Sequence, residues 1–132
     1  MIRILVSCDD TFAYERIARH FNDGKIWAVD DGAVATNAVA KAIELRPNIA
    51  ILEISATDRL ELIKCMKSAL PHTVVFVVTA HSAIQIESRA LACGAEAVFQ
   101  MDESESLMAN IHAIEHSCGA QLVAPWRGIH AV

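Results

Sequence analysis

Asn48-Ile49-Ala50-Ile51-Leu52-Glu53-Ile54 is the stretch on which the reading of this chain turns. Its apolar residues run consecutively instead of alternating, which suits a strand covered on both faces, as in a parallel sheet. Two runs of the same kind flank it, Ile2–Cys8 and Thr73–Val78, both rich in Val, Ile and Leu. Weaker runs at Lys25–Val29 and Ala97–Met101 read as further strands. Helical spacing fills the intervals. Phe12–Phe21 carries Ala13, Ile17 and Phe21 on one stripe, and Ala33–Leu45 carries Val34, Ala38, Ala42 and Leu45. Arg59–Ala69 carries Leu60, Ile63 and Met66, and Ser82–Cys93 carries Ile86, Ala90 and Cys93 before a stop at Gly94. Ser104–His116 carries Leu107, Ile111 and Ile114. Strand and helix alternate five times, which predicts one α/β domain with a parallel sheet and right-handed crossovers.

Composition agrees. The 132 residues are 54% hydrophobic and 20% charged, enough apolar material for one sizeable core. Eleven basic against sixteen acidic residues leave −5, with no Lys/Arg cluster along the chain, so this domain has no electrostatic footprint for nucleic acid. No apolar run is long enough to span a bilayer, and the first residues read as a strand and not a signal peptide. Cys8, Cys65, Cys93 and Cys118 form no Cys-x-x-Cys pair, which predicts free thiols in a reducing cytoplasm. Periodicity fades after Gly119. Residues 1–118 are taken as the domain and 119–132 as a tail or linker.

Ligands of an open parallel sheet bind at the carboxyl ends of its strands, so the residues closing each strand carry the chemistry. The first strand closes on Asp9-Asp10, the third on Glu53, the fourth on Thr79-Ala80 and the fifth near Met101-Asp102. Asp9 and Asp10 also suit a helix cap, Thr79 an ordinary strand end, and Glu53 a solvated carboxylate. Asp30-Asp31 reads as a turn and cap.

With those ends in place the chain resembles the response-regulator receiver family of two-component signalling. The pieces are Ile4-Leu5-Val6-Ser7-Cys8-Asp9-Asp10, Asp31-Gly32-Ala33, Leu45 through Ile54, Val77-Val78-Thr79-Ala80-His81, and Ala92-Cys93-Gly94-Ala95-Glu96-Ala97, in that order from about Arg3 to His116. The resemblance implies a flavodoxin-like (βα)5 sheet of order 2-1-3-4-5. It implies that Asp9 and Asp10, with a backbone carbonyl near Ser55, hold Mg²⁺, and that Thr79 is the switch hydroxyl. Oxygen donors of this kind suit the ion.

The departures carry as much information. Glu53 stands where the family has its phosphoaccepting Asp, and its extra methylene misplaces the carboxylate for in-line attack. Met101 stands where the family has a Lys and supplies no charge. Carboxylates ~4 Å apart repel by about 4 kcal/mol at an effective dielectric of ~20, so a bound cation, a proton or separation must relieve them. Ile54-Ser55-Ala56-Thr57-Asp58 lacks the family's Met-Pro and Gly, which weakens the third metal contact. Val98 replaces the switch aromatic. Phe99 would serve only after a register slip, which flips its face.

The remaining candidates are weaker. His112 and His116 are four apart on one helix without the His-Glu-x-x-His pattern and read as surface residues, and His81 borders the strand edge. No phosphate-binding Gly loop and no nucleophile elbow is present. Adjacent Asp9-Asp10 also departs from the phosphatase arrangement, in which nucleophile and acid are one residue apart. The expectation is therefore a cytoplasmic, non-enzymatic receiver with altered chemistry. It requires no cofactor, binds Mg²⁺ weakly, and acts by protein contact or as a homodimer. Its expected face is Ile84, Gln85, Glu87, Arg89, Glu105, Met108 and His112, and a DNA-binding output domain follows if the natural chain is longer. Alternatives are a small-ligand or cation sensor using the acidic pocket, and a weakly competent phosphoacceptor.

Overall fold

The computed structural model describes residues 3–7, 26–29, 35–54, 57–80 and 83–116. Five strands form one parallel sheet: β1 (Ile4–Ser7), β2 (Ile26–Val29), β3 (Ile49–Glu53), β4 (Val74–Thr79) and β5 (Ala97–Gln100). Their order is β2-β1-β3-β4-β5, as expected. The helices are α1 (Ala35–Leu45), α2 (Glu61–Ala69), α3 (Ala83–Cys93) and α4 (Ser104–His116). The expected helix over Phe12–Phe21 and the tail at 119–132 lie outside the described residues.

The unbroken apolar runs are explained by what covers the sheet. Ile4, Val6, Ile49, Ile51, Phe76 and Phe99 face α4, where Leu107, Ile111 and Ile114 meet them. Leu5, Ala50, Leu52, Val75, Val77 and Val98 face the other way, onto Ala38 and Ala42 of α1, Ile63 and Met66 of α2, and Ile86 and Ala90 of α3. With period two along each strand, both faces are hydrophobic, and no strand can alternate with polar residues.

Element ends differ from expectation for local reasons. Asn48 precedes β3 and ties its start to its neighbours: its N–H donates to the Arg3 carbonyl at 2.8 Å, its side-chain Oδ1 accepts the Arg3 N–H at 2.8 Å, and its carbonyl accepts the Val74 N–H at 3.0 Å. Thr73 stays outside β4 because its hydroxyl donates to the Pro47 carbonyl at 2.9 Å, and the strand gains Thr79 at its far end. Arg59 is not in α2. It belongs to a 3₁₀ turn, Thr57–Leu60, that leads into the helix. After α1, Arg46 takes φ +51, a left-handed turn that costs a residue with a Cβ about 1–2 kcal/mol. The Arg3 guanidinium holds that turn, donating from Nε and Nη2 to the Arg46 carbonyl at 3.1 and 2.6 Å.

Candidate functional site

The strands of a parallel sheet all end on one edge, so side chains far apart in sequence converge there. β3 brings Glu53 to it and β4 brings Thr79. Pairing sets Glu53 against Val78, so Thr79 stands one residue further along. Gln100 pairs with Thr79. The Met101 N–H then donates to the Thr79 carbonyl at 2.8 Å, and the Ile54 N–H to the Val78 carbonyl at 2.9 Å. Backbone bonds thus fix Glu53, Thr79 and Met101 at the same end of three neighbouring strands. Just beyond, the Gln100 N–H donates to Glu103 Oε1 at 2.7 Å, which closes the turn into α4.

Burial separates these positions from ordinary strand ends. Glu53 is 4% exposed, which removes the solvated-carboxylate reading, and Thr79 is fully buried. Arg59 Nη1 donates to the Glu53 backbone carbonyl at 3.3 Å, and Arg59 Nη2 and Glu53 Oε1 are both shielded from water. A guanidinium therefore lies against the end of β3. The periodicity of the sequence puts Arg59 at the start of a helix, off its apolar stripe, and gives it no role at the site. The available signal was that Arg59 is the first cation after Glu53.

Met101 is half-buried, and its side chain packs against the core on the α4 side. Val98 packs on the opposite face with Ile86 and Ala90. Phe99 lies on the α4 side, edge-on to Phe76 with ring centroids 5.6 Å apart and planes at 85°, a favourable aromatic geometry. With Val78 paired to Phe99, no register slip brings Phe99 to the Val98 position.

Asp9, Asp10, Ser55 and His81 lie outside the described residues. Among the described residues no three His, Cys, Asp or Glu side chains come together as a metal group. Cys65 and Cys93 are free thiols, and His72 and His112 are exposed.

The expected contact face is partly assembled. Ile84 is 85% exposed, and Glu87, Arg89, Glu105 and His112 are exposed, while Met108 is half-buried against the core. The Gln85 side chain is outside the described set. At ~100° per residue, Arg89 lies about 140° round α3 from Ile84 and does not share its stripe. Ser88 and Leu91 do share it, and Leu91, 43% exposed, is the apolar neighbour that sequence reasoning missed.

No family model and no curated protein matches the sequence. Solved structures do match. A two-component response regulator of the LuxR family from Aurantimonas sp. SI85-9A1 superimposes with a TM-score of 0.72 at 19% identity, over 95% of this chain and 91% of that one. The receiver domain of NtrC4 from Aquifex aeolicus gives 0.67 at 22% identity, over 87% and 98%. The fold is that of a response-regulator receiver domain. A DNA-binding response regulator of the LuxR family from Staphylococcus aureus shares the receiver fold with a TM-score of 0.70 at 18% identity, over 86% and 98% of the two chains. Within this fold, Glu53, Thr79 and Met101 occupy the sheet edge at which the receiver resemblance locates phosphoryl chemistry.

Proposed function

We propose that this chain is a response-regulator type of signalling module that works through protein contact and takes no phosphoryl group. The observation that carries this reading is the state of the sheet edge. The residue at the acceptor position is a Glu, 4% exposed, and the residue at the lysine position is a Met whose side chain is committed to the core. A buried, lengthened carboxylate is displaced from the in-line geometry that attack on phosphorus requires, and displacements of about 1 Å cost about a hundredfold in rate. A thioether cannot neutralise a phosphoryl group. In this reading Glu53 stands in weakly and permanently for a phosphorylated acceptor, and no residue has a catalytic role.

Asp9 and Asp10, with the carbonyl near Ser55, are the oxygen donors that would hold Mg²⁺, whose charge would offset the carboxylates. Binding weaker than in a phosphoaccepting receiver is expected, because residues 54–58 lack the family's loop residues. Contact with a partner or a second copy falls to the outer side of α3 and α4. In a longer natural chain, the output is a DNA-binding domain.

The test is intact mass after incubation with acetyl phosphate and Mg²⁺, for the natural chain and for Glu53→Asp combined with Met101→Lys. The expected result is no phosphoryl adduct on the natural chain and an adduct on the double variant. An adduct on the natural chain would return it to conventional phosphoryl signalling.

A further inference from the structure

At the opposite end of the sheet, where the strands begin, lies a groove of about 290 Å³ lined by Arg46, Asn48, Leu70, Pro71, His72 and Thr73, with Pro47 and Ala69 behind them. It is built from the turns that enter β3 and β4. Among the described residues no carboxylate lines it, although acidic residues outnumber basic ones by sixteen to eleven in the chain.

Its hydrogen-bonding capacity is one-sided. The Arg46 carbonyl accepts from the Arg3 guanidinium, and the Pro47 carbonyl from the Thr73 hydroxyl. The Asn48 carbonyl accepts the Val74 N–H, and the Leu70 carbonyl the Thr73 N–H. Lys67 Nζ occupies the Pro71 and Thr73 carbonyls at 3.0 and 2.7 Å. Six of the eight lining residues' carbonyls thus already accept a hydrogen bond from within the chain. Asn48 has spent its side-chain oxygen on the Arg3 N–H, which leaves its NH₂ as a donor. Arg46 and His72 are exposed, and Arg46 is the non-Gly residue held at positive φ among the described residues. A strained turn is retained where something else fixes it, and here Arg3 fixes the backbone of Arg46, a residue that lines the groove and is exposed. The nearby acid Glu44 is turned to Lys41 at 3.6 Å. Arg3 and Lys67, bonded to rim carbonyls, add positive charge beneath. Arg3, Arg46 and Lys67, far apart in the sequence, meet here, which is why no basic cluster is visible along it.

We propose that this groove binds a small phosphomonoester. Arg46, the Asn48 amide and His72 would hold the phosphate by charge-assisted hydrogen bonds, and the apolar half, Pro47, Ala69, Leu70 and Pro71, would take the organic group. The site is independent of the receiver reading, being at the other end of the sheet from Glu53.

The test is calorimetric titration of the full chain with phenyl phosphate and with inorganic phosphate, at ionic strength matched with chloride. The expected result is saturable binding, tighter for phenyl phosphate. In Arg46→Gly that affinity falls about tenfold or more, since a charged hydrogen-bond partner is removed. Glycine suits the left-handed turn, so the variant melts no lower than the natural chain, which separates loss of the site from loss of the fold. Absence of saturable binding would overturn the proposal. So would binding unchanged by Arg46→Gly, or inorganic phosphate binding as tightly as the ester.

Discussion

Ser7 ends β1 one residue before Cys8-Asp9-Asp10. It is fully buried, and its Oγ makes no hydrogen bond among the described residues. A hydroxyl withdrawn from water without a partner costs about 1–3 kcal/mol. Ser7→Ala removes that cost and leaves almost no void, so the urea midpoint should rise by the equivalent of about 1 kcal/mol with an unchanged m-value. A lower midpoint would mean that the hydroxyl is hydrogen-bonded in solution. Ser7 and Glu53 show what a sequence hides at this scale. The identity of Glu53 was legible, since its position in the run Asn48–Ile54 fixes it at a strand end. Its burial was not, because exposure at a strand end depends on neighbours delivered by other segments, such as the turn carrying Arg59.

Connections between elements obey local chemistry that periodicity does not reach. Gly94 stops α3 at φ +119, and a Cβ placed there would lie 2.8 Å from Lys67 Cγ and 3.4 Å from Lys67 Cβ. The stop was readable from sequence as a glycine after the last periodic residue, whereas its contact with α2 was not. Gly94→Ala should cost about 1–2 kcal/mol from the strained backbone alone, plus the displacement of Lys67. In a double-mutant cycle with Lys67→Ala the contact part of the cost disappears and the backbone part remains. Additive effects would show that the two helices do not meet through these side chains. The strand limit missed by one residue at Thr73 has a similarly local origin: its hydroxyl bonds to the Pro47 carbonyl and its N–H to the Leu70 carbonyl, which draws the residue out of the ladder. Helix stripes were more faithful, and Ala38, Ala42, Ile63, Met66, Ala90 and Ile114 are all fully buried.

At the scale of the whole molecule, Ile43 on α1 and Ile84 and Leu91 on α3 are the exposed large apolar side chains among the described residues. Ile84 at 85% and Leu91 at 43% exposure stand one above the other, seven residues apart. Covering them by a second copy would stabilise a dimer by roughly 25 cal/mol for each Å² of apolar area removed from water. We expect light scattering to give a dimer mass for the natural chain, and a monomer for Ile84→Asp with Leu91→Lys at unchanged circular dichroism. A natural chain that stays monomeric at high concentration would assign the stripe to a different protein. The architecture itself was the most legible property of this chain. Unbroken apolar strands joined by amphipathic helices leave few ways to arrange a parallel sheet once crossovers must be right-handed.

The strand order also has a consequence for the making of the protein. β1 is the earliest strand to leave the ribosome, yet it lies between β2 and β3. Its register with β3 joins Ile4 to Ile49, so its second partner arrives only after some forty-five further residues have been translated. All four pairings are parallel, so no two neighbouring strands form a hairpin. A nascent chain arrested before Ile49 therefore holds β1 with β2 as its one strand partner and its other edge unpaired. From β3 onward each strand is laid on the growing edge as it appears. The last unit, β5 with α4, is an outermost addition, so a break between Gly94 and Ala97 leaves a four-stranded platform on which a separately made C-terminal piece can dock.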